Sequence, residues 1–232
     1  MGDALLRRDL AQVLIDFLKI WIHQILYQRA IYPPEIFEPR KKYNVPIHIA
    51  VFPDLVNYID DFVKAVHHPL IHGDYRSVAL TIQTQEQRTL ERFVFEMDSL
   101  IPTTQVPPKT VLESGSTVKI ADVEQYLRAA LLRICASPSL LAPVTSNCNF
   151  FLSIETRQGP PADQGTDARA LSQSQMGDWI PSPDQATYAK LIPLQTIPAD
   201  AFKVNTYVME TMKKGKGKQA AAASTSHDRV IA

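Results

Sequence analysis

The feature that most constrains this chain's fold lies near its start. Over residues 3–32 apolar side chains recur at helical spacing: Leu10, Val13, Leu14, Phe17, Trp21 and Ile25. Leu18, Ile22 and Leu26 widen that stripe, so the helix is expected at the centre of the molecule, not as a lid on its surface. Pro33-Pro34 is expected to end it, because proline lacks an N–H and restricts the residue before it. A central helix needs other elements packed around it.

The rest of the chain supplies them. After the basic run Arg40-Lys41-Lys42, residues 43–51 read as a strand, with Val45, Ile47, Ile49 and Val51 on one face. Pro53-Asp54 opens a second helix whose apolar face is Leu55, Ile59, Phe62, Val63 and Val66. Residues 78–82 and 93–97 alternate, and the polar stretch 84–89 between them reads as a hairpin connection. Residues 98–117, with three prolines, read as a loop or insertion. A third helix is expected over 120–134, through Val123, Leu127, Ala130, Leu131 and Ile134, and a strand over 150–154.

Residues 156–178 are rich in Gln, Gly, Asp, Pro and Ser and bury too little to offset ordering entropy, so a mobile loop is expected. Order is expected again at Trp179-Ile180, at 191–194 and at 202–209, the last by alternation. The tail, residues 213–232, reads as disordered and low in complexity. Three helices among several strands without βα alternation predict an α+β fold, with helices on one face of a mostly antiparallel sheet.

Charge and cysteine content narrow the function classes. The 232 residues carry 24 basic and 24 acidic side chains, which argues against a chain-wide footprint for nucleic acid. The tail is basic (Lys213, Lys214, Lys216, Lys218 and Arg229 against Asp228), leaving residues 1–212 mildly acidic at −4. That tail could touch phosphates, solubilise the chain or belong to a nuclear-import signal. Two cysteines, Cys135 and Cys148, exclude a disulfide-rich scaffold and a four-cysteine zinc site. Apolar runs fall short of the roughly 20 residues of a membrane span, and Arg7, Arg8, Asp9, Asp16 and Lys19 are unlike a signal peptide. The expectation is a soluble intracellular protein.

The chain contains no phosphate-binding glycine motif, no H-E-x-x-H and no G-x-S-x-G. His67, His68 and His72 could be considered for zinc, but Pro69 and Gly73 are expected to break their helical presentation. Asp60 and Asp61 point about 100° apart on a helix, so they read as a solvated face and not as a catalytic pair. Cys135, near the end of an apolar helix, reads as a structural thiol. No catalytic residue, metal or cofactor is expected.

The motifs do carry a family resemblance. Ile25-Leu26-Tyr27, Ile31-Tyr32-Pro33, Ile36-Phe37 and the run from Arg40 to Pro46 (RKKYNVP) together resemble a HORMA domain. Arg92-Phe93-Val94-Phe95-Glu96, the segment from Val123 to Ala129 (VEQYLRA), that from Leu191 to Thr196 (LIPLQT) and Tyr207-Val208 extend the resemblance in order over about residues 10–210. RKKYNVP and LIPLQT resemble the branch containing the accessory, non-catalytic subunits of translesion DNA polymerase zeta; ILYQR and IYP are shared with the spindle-checkpoint branch.

The resemblance implies a HORMA domain over 1–212, with a C-terminal safety belt from about 156 to 212 that wraps a partner peptide and pairs with the sheet edge. It implies an adaptor that captures a Pro-containing peptide of the polymerase zeta catalytic subunit and bridges it to a scaffold Y-family translesion polymerase. The alternative is a spindle-checkpoint adaptor for checkpoint or anaphase-promoting-complex peptides.

By matching position, Tyr58 and Trp179 would line the peptide groove. Leu191, Asn205 and Tyr207 would meet the scaffold polymerase, with Asn205 standing where the family pattern leads us to expect glutamine. Arg128 would serve HORMA–HORMA homo- or heterodimerisation. An AAA+ remodeller, contact with DNA only through partners, and a nuclear location, with a cytoplasmic share left open, are further implications.

Overall fold

The computed structural model describes residues 7–72, 75–98, 120–144, 147–156, 188–199 and 202–211. The expected loop over 98–117, the loop over 156–178, Trp179 and the tail 213–232 lie wholly or almost wholly outside these residues.

Helix α1 (Arg7–Gln28) is the predicted central helix. Phe17, Trp21, Ile22, Ile25 and Leu26 are fully buried on it, and the rings of Phe17 and Trp21 lie 5.9 and 6.0 Å from that of Phe95. It ends earlier than the prolines suggest. Ala30 takes a left-handed φ of 50°, the Ala30 N–H donates to Tyr27 O at 3.0 Å, and the Ile31 N–H donates to Leu26 O at 3.1 Å. That pair of bonds is a Schellman closure, which satisfies the last carbonyls and turns the chain without needing proline. Pro33-Pro34 instead lead into a single 3₁₀ turn, Pro34–Ile36.

Strand β1 (Phe37–Lys42) pairs antiparallel with β2 (Val45–Ala50). The basic run therefore forms half of a hairpin, and the strand expected over 43–51 is confined to its second half. Tyr43 and Asn44 form the two-residue turn with φ of 46° and 58°, the paired left-handed geometry of a tight hairpin. The tip is held near α1 and the third helix. Burial, with Asp16 and Glu124 nearby, pushes the Tyr43 phenol up to about 12.

Helix α2 (Pro53–His72) contains Pro69 in its last turn, where the proline is buried and does not stop the helix. Strands β3 (Tyr75–Thr84) and β4 (Thr89–Asp98) form the predicted hairpin. Its turn is closed by the Thr84 N–H on Arg88 O at 2.9 Å, with Gln87 at φ 60°. Helix α3 (Ile120–Ala136), β5 (Cys148–Thr156), β6 (Tyr188–Ala199) and β7 (Phe202–Thr211) complete the order.

The larger sheet runs β5-β3-β4-β7-β6, all antiparallel. Its inner face, under the helices, carries Val78, Leu80, Ile82, Phe93, Phe95, Leu152, Val204 and Val208. The α+β expectation of three helices on an antiparallel sheet is met. The last described strand in sequence, β7, lies beside β4, and the C-terminal hairpin β6–β7 occupies the flank opposite β5.

One buried ion pair ties these parts together. Arg29 grips Glu91 in bidentate fashion, Nε to Oε2 at 2.9 Å and Nη2 to Oε1 at 2.6 Å, with both side chains almost fully buried. The same Nη2 donates to Ala142 O at 2.6 Å. Glu210 of β7 sits opposite Glu91 in the ladder, and its Oε1 accepts the Ala142 N–H at 3.3 Å. Burial pulls the Arg29 guanidinium down from its usual range, and the Glu210 carboxylate opposes that.

Candidate functional site

Strand β5 ends the sheet: among the described residues, only β3 pairs with it. Its inward side chains, Phe150, Leu152 and Ile154, alternate with outward Phe151, Ser153 and Glu155. Helix α2 packs beside it and brings Tyr58 to the edge. The Leu152 N–H donates to the Tyr58 hydroxyl at 3.3 Å, so this amide points away from β3. By the two-residue repeat of the ladder, the backbone groups of Phe150 and Ile154 face the same open side.

Aromatic rings gather there. The Phe150 ring meets Tyr58 edge-on at 5.8 Å and Tyr32 edge-on at 6.1 Å. Tyr32 comes from the loop after α1, Tyr58 from α2 and Phe150 from β5. Burial raises the Tyr32 phenol, and the neighbouring Tyr58 adds to that. Tyr58 remains 44% exposed, so its ring is presented to an incoming group. The arrangement is a strand edge that no other described strand pairs with, flanked by an aromatic wall. Chemically it can accept an extended chain as an added strand and pack apolar side chains against rings.

The second predicted group is assembled on the sheet's outer face. Asn205 and Tyr207 alternate outward along β7, and Leu191 of β6 faces Met209 in register. Leu191 is 59% exposed, the most exposed large apolar side chain among the described residues. The Asn205 side-chain oxygen accepts from the Thr196 hydroxyl at 3.1 Å. Tyr207 is half-buried; burial raises its phenol, Glu96 adds to this, and Arg92 opposes it. Leu191, Asn205 and Tyr207 thus share one surface, on the sheet face turned away from the helices. Arg128 is exposed on α3, separate from both groups. Trp179 lies outside the described residues, as do the side chains of His68 and His72.

Residues considered for catalysis have other engagements. Asp60 pairs with Lys19 at 2.5 Å and Asp61 with Lys64 at 3.0 Å, so the two carboxylates diverge as helical spacing requires. Burial raises the half-buried Cys135 thiol, whose sulfur accepts from Gln24 Nε2 at 3.4 Å. Among the described residues no cluster of three His, Cys, Asp or Glu could hold a metal, and no helix is long and apolar enough to cross a membrane.

Sequence reasoning found Tyr58 but not its companions. Tyr32 and Phe150 are 118 positions apart, and no local pattern joins them. Glu91 had a usable signal: it falls in the same alternation as Phe93 and Phe95, a charge in line with buried phenylalanines.

The HORMA domain profile matches residues 11–163. The human mitotic spindle assembly checkpoint protein MAD2B is 34% identical over 208 residues, covering 88% of this chain and 92% of that protein. The DNA polymerase zeta processivity subunit of Schizosaccharomyces pombe is 32% identical over 149 residues, covering 63% of this chain and 68% of that one. Among solved structures, Caenorhabditis elegans HTP-2 bound to the HIM-3 closure motif superposes with a TM-score of 0.65 at 12% identity, covering 89% of this chain and 92% of that one.

Proposed function

This chain belongs to the HORMA domain family, and from that premise we propose that it is a non-catalytic adaptor subunit of DNA polymerase zeta. In this reading a Pro-containing peptide of the catalytic subunit adds as a strand to the open edge of β5. Tyr58 lines its path, and Trp179, in the segment 157–187, closes over it. The observation that carries the proposal is the edge itself: among the described residues β5 has no strand on its outer side, an aromatic wall stands beside it, and the C-terminal hairpin β6–β7 is docked on the opposite flank. Strand addition lets main-chain hydrogen bonds supply affinity and side-chain pockets supply selectivity. A proline-containing segment suits aromatic faces because its chain is already extended and loses little entropy.

The outer face bearing Leu191, Asn205 and Tyr207 is then the surface offered to a scaffold Y-family polymerase. Arg128 on α3 would serve pairing with a second HORMA domain, and an AAA+ remodeller would release the peptide. DNA would be met through partners, in the nucleus. Support for the polymerase assignment comes from the relative named as a polymerase zeta processivity subunit. The name of the human relative favours a second reading, a spindle-checkpoint adaptor. Competition between polymerase and checkpoint peptides for the purified chain separates the two.

The primary test is the release rate of a Pro-containing catalytic-subunit peptide. Slow release is expected from the wild type. Trp179→Ala is expected to release it roughly 30-fold faster, the scale of a central aromatic anchor. Absence of binding by the wild type, or an unaltered rate in the variant, rejects the mechanism.

A further inference from the structure

We propose that the Tyr58 hydroxyl is an edge guard: it holds the outward Leu152 N–H of β5 until a peptide carbonyl takes its place. The inference rests on the reading that β5 is where a peptide strand adds, and it assigns the hydroxyl a role distinct from that of the ring.

An outward N–H on a terminal strand needs a partner, and an exposed row of such groups invites pairing with any extended chain. Here the central amide of the open stretch is already engaged. The partner is a side chain of α2, 94 positions away, not another strand. The contact is long, at 3.3 Å against a usual N–H···O range of about 2.7–3.2 Å. The tyrosine carrying it is 44% exposed and therefore has room to swing aside. A guard of this strength discourages casual pairing but yields to a ladder carbonyl at normal distance. Its ring, which meets Phe150 edge-on, moves with the hydroxyl and offers the incoming strand an aromatic packing surface beside Phe150. The position also bears on register, since a ligand must bring a carbonyl opposite Leu152 to displace the phenol.

Hydroxyl and ring can be separated by two substitutions. Tyr58→Phe removes the guard and keeps the ring; Tyr58→Ala removes both. Peptide titration of the full chain is expected to show Tyr58→Phe binding about three- to tenfold tighter than wild type, the worth of one exchanged hydrogen bond. Tyr58→Ala is expected to bind more than roughly tenfold weaker, through loss of the aromatic wall.

Amide hydrogen exchange on the peptide-free protein supplies a readout that does not depend on the ligand. Leu152 is expected to exchange faster in Tyr58→Phe, with the β3 amides unchanged. If wild type captures the peptide and Tyr58→Phe binds it no tighter, or if Leu152 exchange is unaltered, the guard is overturned. If wild type captures no peptide but Leu152 exchange still quickens in Tyr58→Phe, the guard stands as edge protection and the capture reading falls.

Discussion

His23 lies fully buried on α1, with its Nδ1 accepting the Ala50 N–H at 3.3 Å. Burial, with Lys19 nearby, lowers its pKa from 6.5 to about 4, against an opposing influence from Asp60. The fold therefore holds the imidazole neutral, and protonation would remove the acceptor that Ala50 uses. A folded pKa below the unfolded one adds stability that is complete above about 6.5 and is lost as pH falls toward 4. The full shift is worth roughly 3 kcal/mol. In urea unfolding, wild type is expected to lose that share between pH 7 and pH 4, while His23→Gln, which does not titrate, does not. The stability difference between the two proteins should shrink in acid. A difference that is constant across the range would show that His23 does not contribute to the pH dependence.

Element boundaries here are decided by backbone geometry that side chains only partly announce. Ala30 ends α1 in a left-handed conformation that glycine adopts without steric cost. Ala30→Gly is expected to raise stability by about 0.5–1 kcal/mol, read as a shift of the denaturant midpoint at unchanged slope. A destabilised variant would mean that the entropy glycine adds to the unfolded chain outweighs the relieved strain. The β1–β2 hairpin turns on Tyr43-Asn44, both left-handed, without the glycine that usually marks such a turn. Its first strand, five of whose six side chains are exposed, has no apolar alternation to reveal it. Pro39 and the lysines suit the outer edge of such a hairpin, where they discourage further pairing.

At the scale of the whole molecule, the central question is what keeps the C-terminal hairpin on the sheet. Strand β7 is the last described element in sequence but an interior strand in space. Besides its apolar residues, it carries Glu210 into the network of Arg29, Glu91 and Ala142, which joins the turn closing α1, β4 and the segment after α3. Removing Arg29 leaves Glu91 buried, opposite a second carboxylate. Arg29→Ala is expected to cost about 3–5 kcal/mol of global stability. It should also speed hydrogen exchange in β7 beyond that in β3, because like charges then face each other across the β4–β7 ladder. A uniform loss of protection over all strands would show that the network stabilises the core without latching β7.

What the residues determined by themselves is what period and chain geometry can carry. The central helix, the second and third helices, the β3–β4 hairpin and the strand character of β5 and β7 all follow from apolar spacing, since burial on one face imposes a repeat of 3.6 or 2. Tyr58, Leu191, Asn205 and Tyr207 were named from family motifs, and the fold sets the last three on one surface. Tertiary structure alone decided the relations between distant positions. It determined that β7 lies beside β4 while β5 is the outermost described strand on the other flank. It set Phe150 between Tyr32 and Tyr58, and it joined Arg29 to Glu91 and aimed the Leu152 amide at a hydroxyl. Strand order and side-chain partnership depend on loop closure and packing over 60 or more positions, as in the Arg29–Glu91 and Tyr58–Leu152 contacts, and no local repeat records them.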